Sequence, residues 1–297
     1  MNKFSTFFYC FKNTFINASY YRDILKAPFS FSFKFFLFFF LLYAIAGTTI
    51  FYFKGAPTIN KFLDTFPQNL SQLYPEELII TIKDGQASTN VKEPYSISIN
   101  QLGEIFPQYA FIENPIDEYQ NILVIDTKGS IENFTQYKTA ALLTQKNFVI
   151  VDSNNKYQLY PLTEIKDFTL DRALVDKGVK LVTPYFRYVL PVITACVFLY
   201  FLILLPAIKL IYLLFLALVL LLVGKIMSLR ISYGKNYQVG LHLIVIFTVL
   251  TGILSLAGVN IPPIPFFQTL ILAVLGAIAF QSVKKGLDQE VPKPQSL

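Results

Sequence analysis

The sequence predicts an integral membrane α-helical bundle of four or five transmembrane helices, with a small α+β extracytoplasmic domain inserted after the first helix. Three observations carry that expectation. Of 297 residues, 54% are apolar and only 15% are charged, against about 25% in an average soluble domain. Several apolar runs approach or exceed the length of about 20 residues that crosses a hydrocarbon core. The charges also segregate: residues 1–34 hold five Lys/Arg and one acid, residues 54–186 hold twelve and sixteen, and residues 187–297 hold eight and two. The net +6 therefore gathers beside the apolar runs, while the one polar segment is mildly acidic, so no nucleic-acid partner is expected.

Residues 35–53 (FFLFFFLLYAIAGTTIFYF) lie between Lys34 and Lys54 without a charge and make the first span. Ala44-Ile45-Ala46 resembles a cleavage site, but the 34-residue basic leader is too long for an ordinary signal n-region and the apolar run continues to Phe53, so a retained anchor is expected. Residues 188–224 form a 37-residue apolar stretch interrupted only by Lys209. As one straight helix it would run about 55 Å, well beyond a core of about 30 Å. A hairpin turning at residues 206–209, where Pro206 weakens the helix, gives five spans; a single bent or partly in-plane helix gives four. Residues 239–257 and 265–283 supply the last two spans, joined by a loop with Pro262 and Pro263 and followed by a polar tail, 286–297.

Short basic flanks stay in the cytoplasm, which puts the N-terminus inside the cell membrane and residues 54–187 outside. Five spans would send Lys225, Arg230, Lys235, Lys284 and Lys285 outside, and four would return them all to the cytoplasm. Hydrophobicity favours five and charge favours four. Within the leader, Phe4, Phe7, Phe8, Phe11 and Phe15 repeat at helical spacing. This is either an interfacial helix on the lipid bilayer, with Lys3 and Lys12 near anionic headgroups, or a helix packed on the protein's own bundle.

The insert is long enough for its own core and holds no cysteine, since Cys10 and Cys196 lie in the leader and in a predicted span. Residues 78–83 alternate like a strand and end at Asp84-Gly85, a tight-turn dipeptide. Residues 95–100 and 121–127 read as strands, residues 134–144 as a short helix, and residues 148–152 with 157–162 as a hairpin around Ser153-Asn154-Asn155-Lys156. Residues 171–182 read as a helix entering the second span.

The segments Tyr20-Tyr21-Arg22-Asp23-Ile24-Leu25-Lys26-Ala27-Pro28-Phe29, Lys83-Asp84-Gly85-Gln86, Asn90-Val91-Lys92-Glu93-Pro94-Tyr95 and Val124-Ile125-Asp126-Thr127 occur in that order. Together they give a chain that resembles an uncharacterised bacterial membrane-protein family, the domain of unknown function numbered eleven eighty-nine. The resemblance implies one N-terminal span, an exported insert and a C-terminal bundle. It brings no catalytic or binding residues.

The search for chemistry returns little. His242 is the only histidine, four residues into a predicted span, with no Cys, Asp or Glu beside it; it reads as structural or pore-lining. Between Asp176 and Asp288 there is no carboxylate, which excludes a carboxylate proton relay in the C-terminal bundle. Lys209 is an anion contact or a snorkelling turn residue, Gln268 and Gln281 read as interhelical hydrogen-bonding residues, and Ala273 with Ala277 marks a small-residue face. In the insert, Glu76, Glu77, Asp117, Glu118 and Asp126 raise a metal or sugar hypothesis without showing convergence, and Asp126 at a strand end is the acid to watch. Tyr95, Tyr109, Phe111, Tyr119, Tyr157 and Tyr160 offer surfaces for a glycan or peptide, or core. Asp126, Tyr95, Lys209 and His242 are thus the candidate contact residues, with no catalytic residue, cofactor or metal expected. The expectation is a non-enzymatic envelope binding, sensing or scaffold protein whose exported domain meets an envelope protein or glycan. The alternative is a facilitator or accessory subunit of a membrane permease, for which Lys209, His242, Gln268 and Gln281 would face a common cavity.

Overall fold

A computed structural model describes residues 2–101, 119–152, 156–259 and 266–290, with the backbone alone for residues 3 and 287–290. The chain forms two compact units, Met1–Lys54 with Val192–Leu297, and Gly55–Pro191.

The helical unit begins with α1 (Lys3–Ile16) and the short α2 (Tyr20–Lys26), then the first part of α3 (Phe29–Leu73). The phenylalanine repeat of the leader does make a helix, and it serves two faces. Phe7, Cys10 and Thr14 are buried along one stripe, while Phe4 and Phe8 remain 58% and 62% exposed. The Phe7 ring packs on Phe35 and Phe38 of α3 at centroid distances of 5.4 and 4.7 Å. α3 runs 45 residues with Pro57 and Pro67 inside it, much further than the apolar run predicts.

After α4 (Arg172–Val182) and a 3-10 segment, the chain continues through α5 (Val189–Leu199), a π-helical turn (Tyr200–Leu204) and α6 (Leu205–Ile226). Of the two readings of residues 188–224, the single continuous helix is the one formed, and the hairpin at residues 206–209 is not. The reason is local: the Leu205 N–H bonds the Tyr200 carbonyl five residues back, and Pro206, with no N–H to give, falls where the wide turn passes into α-helix. α7 (Tyr233–Leu256) and α8 (Phe267–Glu290) complete the unit. Four helices are therefore long and apolar enough to cross a membrane: Phe29–Leu73, Arg172–Ile226, Tyr233–Leu256 and Phe267–Gly286.

Phe36, Phe40, Leu213, Leu216, Leu220, Leu241 and Phe280 are wholly buried in the core of this unit. Close packing of α6 and α8 depends on Gly276, where a Cβ would come 2.3 Å from Leu220 Cδ2. Sequence reading pointed to Ala273, one turn earlier, and to the adjacent Ala277. One end of the unit gathers Arg22, Lys235 and Lys284. Lys235 Nζ donates to the Ala27 carbonyl at 2.7 Å, Lys284 Nζ donates to the Met227 carbonyl at 3.2 Å, and Gly286 lies against the Arg22 guanidinium. The leader, the α6–α7 connection and the last turns of α8 thus share that end.

The sheet unit holds two sheets. β1 (Ile80–Lys83) pairs antiparallel with β2 (Gln86–Thr89) and with β8 (Phe168–Leu170). The second sheet has the order β3 (Tyr95–Ser98), β4 (Asn121–Ile125), β5 (Thr139–Leu143), β6 (Asn147–Val151), β7 (Tyr157–Pro161). Alternation along the strands feeds two cores. Leu78, Ile80, Ile82 and Ala87 meet Ile97, Ile125, Leu143 and Leu162 between the sheets, while Val124, Leu142 and Val149 point the other way onto Phe134. Asp84 and Gly85 both take positive φ, 50° and 73°, the turn that an Asp-Gly dipeptide predicts.

The helix expected over residues 134–144 is a correction. A 3-10 helix, Ile131–Tyr137, ends at Lys138 in the left-handed region, and the chain then becomes β5, parallel to β4. Burial of Leu142 and Leu143 on opposite faces of a central strand outweighs the helical tendency of the two alanines. The strand expectations over residues 78–83, 95–100, 121–127, 148–152 and 157–162, and the helix over 171–182, agree with β1, β3, β4, β6, β7 and α4. The Ser153-Asn154-Asn155 turn lies outside the described residues, as do Tyr109, Phe111, Asp117, Glu118, Pro262 and Pro263.

Candidate functional site

Helix α2 is seven residues long and ends in carbonyls with no intrahelical partner. Gln238 of α7 answers them: the two hydrogens of its Nε2 are shared among acceptors that include the carbonyls of Ile24, Ala27 and Pro28, at 3.0, 3.2 and 3.3 Å. Lys235, one turn earlier, adds its ammonium to the Ala27 carbonyl and to Gln238 Oε1 at 3.2 Å. One turn later on the same face comes His242.

His242 is wholly buried. Its Nε2 lies 3.0 Å from Ser32 Oγ on α3 and its Nδ1 lies 3.2 Å from Thr14 Oγ1 on α1. Ser32 Oγ also accepts from Gln238 Nε2 at 3.1 Å, so the hydroxyl joins both α7 side chains. The Phe35 ring stacks on the imidazole at 4.6 Å and 9°, and Tyr20 meets it edge-on at 5.6 Å. Three helices from the two ends of the sequence are thereby clasped around one imidazole. A Ser–His contact can activate a nucleophile, but Ser32 and His242 are both 0% exposed, and the second ring nitrogen is held by a threonine where a carboxylate would orient a catalytic base. Its chemistry is that of a buried polar clasp.

Cys10 and Tyr20 border the clasp. Burial raises the Cys10 thiol above its ordinary value, with the neighbouring Tyr20 hydroxyl working the other way. Burial also raises the phenols of Tyr20 and Tyr21. The Tyr21 hydroxyl donates to the Thr14 carbonyl at 3.1 Å, whereas the Tyr20 hydroxyl faces Cys10 without a hydrogen bond of good geometry.

On the far side of Phe35 lies a groove of about 520 Å³ between α1 and the first turns of α3. Phe7, Phe31, Phe35 and Phe38 form its walls, with Cys10 among them, and among the described side chains Lys34 is its only ionic lining residue.

The residues singled out from the sequence fall in separate places. Asp126 closes the turn after β4: its carboxylate accepts from the Lys128 N–H at 3.1 Å and from the Tyr137 hydroxyl. Tyr95 donates to Glu77 at 2.9 Å, and a backbone hydrogen bond, helped by that of Tyr95, holds the carboxyl below its ordinary range. Lys209 donates to Gln268 Oε1 at 3.2 Å and lies 5.9 Å from the Phe247 ring centroid. Gln281 is exposed on α8. Lys209, His242, Gln268 and Gln281 therefore divide among an α6–α8 pair, the clasp and an exposed helix face. Among the described residues, no three His, Cys, Asp or Glu side chains converge as metal ligands. Sequence reasoning missed Thr14, Ser32, Gln238 and the groove; the one available signal was the four-residue spacing of Gln238 and His242.

A family model described as protein of unknown function, DUF1189, matches residues 8–283. The chain belongs to the DUF1189 family. No curated protein and no solved structure matches it. The DUF1189 match takes in the whole clasp, from Thr14 to His242, together with most of the groove and the sheet unit.

Proposed function

We propose that this DUF1189 protein is a multi-pass membrane protein that acts by binding, its sheet unit engaging a partner protein of the cell envelope and its helical unit serving as anchor. The observation that carries the reading is the edge strand β7. Among the described residues it pairs with β6 alone, and Tyr157, Leu159 and Tyr160 along it are 55%, 46% and 46% exposed. A free edge with alternate apolar and aromatic side chains accepts an extended peptide as an added strand, with main-chain bonds giving affinity and side chains giving selectivity. Basic residues gathered at one end of the helical unit support a cytoplasmic placement of that end, and the first crossing then carries residues 55–191 to the outer face. The transport alternative lacks the common cavity it requires, since its four polar residues fall into separate settings.

A photo-reactive amino acid placed at Tyr160 or Leu159 of the full chain in living cells tests the reading. A discrete protein adduct from these positions, and none from the exposed Glu132 on the same unit, is the expected result. No adduct at either edge position, or the same adducts from Glu132, removes the proposal.

A further inference from the structure

The groove between α1 and α3 has a volume within the range of about 300–1,000 Å³ typical of small-molecule sites. Its chemistry is one-sided. The walls are phenylalanine rings, the Thr6 hydroxyl at its edge is committed to the Asn2 carbonyl at 3.3 Å, and no acidic residue lines it. A polar solute would lose its water there without finding partners. What remains complementary is a thin apolar chain carrying one negative charge, which the exposed Lys34 can meet. The groove also opens where such molecules are found: Phe31 to Phe38 are early turns of a helix long enough to span a bilayer, and α1 leaves Phe4 and Phe8 uncovered beside it.

We infer that this groove seats one acyl chain of an anionic phospholipid, with the lipid phosphate on the Lys34 ammonium. The inference rests on insertion of the four long helices in a bilayer and is independent of partner binding at β7. By closing over Phe35, the lipid would share a wall with the His242 clasp and tie α1 to the headgroup layer.

The chain contains no tryptophan, so one introduced residue reports alone. The full chain carrying Phe38→Trp is reconstituted in nanodiscs doped with brominated phosphatidylglycerol or brominated phosphatidylcholine, and fluorescence quenching is compared at equal mole fraction. The anionic lipid should reach half-quenching at about one fifth the mole fraction of the neutral one, the preference that a single lysine near a membrane surface confers. Lys34→Gln should abolish that preference. Phe31→Trp gives the same readout should the first variant fail to fold. Ile211→Trp, at a position 70% exposed on α6, should be quenched equally by both lipids. Equal quenching by both lipids in the groove, a preference that survives Lys34→Gln, or equal efficacy of a brominated fatty acid overturns the assignment. Absence of quenching at Ile211→Trp by either lipid instead removes bilayer insertion itself, which separates the two failures.

Discussion

Ser32 Oγ and His242 Nε2 lie 3.0 Å apart, both residues wholly buried and 210 positions apart in sequence. The contact fixes the start of α3 to α7, and Thr14 extends it to α1. Replacing His242 by Ala strands two hydroxyls without water and opens a cavity beside Phe35, so a loss of about 1–3 kcal/mol is expected in thermal unfolding of the full chain in detergent. Ser32→Ala should cost less. The coupling in the double mutant should be about 0.6–1.7 kcal/mol, as for hydrogen bonds between membrane helices. Strict additivity would show that the clasp contributes no interaction energy.

Gly85 concentrates two constraints. Its φ is 73°, and a Cβ there would come 2.9 Å from the Thr163 Cα, which is backbone and cannot swing aside. Gly85→Ala should therefore destabilise the sheet unit by about 1–3 kcal/mol, read as a lower midpoint in limited proteolysis of residues 55–191. Asp84→Asn at the other positive-φ position should be nearly silent, because Asn tolerates the left-handed region.

The pH response of the sheet unit follows from its shifted groups. Backbone and Tyr95 hydrogen bonds hold the Glu77 carboxyl below 4.5. A folded value below the unfolded one gives a contribution that is complete above about pH 5 and is lost as pH falls through the folded value. Tyr74 moves the other way: burial, with the charge of Asp171, pushes its phenol up to about 12 from 10.0. Its contribution is complete below pH 10 and disappears between pH 10 and 12. Melting temperature should be flat between pH 5 and 9 and fall on both sides, with Tyr74→Phe flattening only the alkaline limb.

The proposed insertion of the four long helices would return the chain to its starting side. Reporters active on one face of the membrane, fused at each terminus of the full chain, should both read cytoplasmic, whereas a reporter after residue 128 should read external. Opposite signals from the two termini would require an odd number of crossings.

Strands with clean two-residue alternation were legible, because burial of one face repeats in the sequence. LIITIK followed by Asp-Gly is β1 and its turn almost to the residue. β5 was not, since Thr139 to Leu143 carries two alanines and no alternation, and its identity is decided by a parallel neighbour. The span count turned on Pro206, which a reading of local propensity treats as a break; a π turn accommodates it. Of the clasp, Gln238 and His242 could be seen as neighbours on one face. Thr14 and Ser32 could not, because nothing short-range links them to a histidine more than 200 positions away. The groove needs the approach of α1 to α3, which apolar periodicity allows without specifying.

The wide turn at Tyr200–Leu204 amounts to one surplus residue in an otherwise α-helical rod. Each residue turns such a rod by about 100°, so excising any one of the five would restore regular winding and rotate everything upstream, from Val189 to Leu199, onto a different side of α6. Phe201 now lies over Gly47, where an added methyl would sit 2.9 Å from its ring, and meets Tyr43 edge-on at 5.7 Å. That two-ring seam is an angular setting: remove one position from Leu202 to Leu204 and the aromatic key of Phe201 no longer faces its lock.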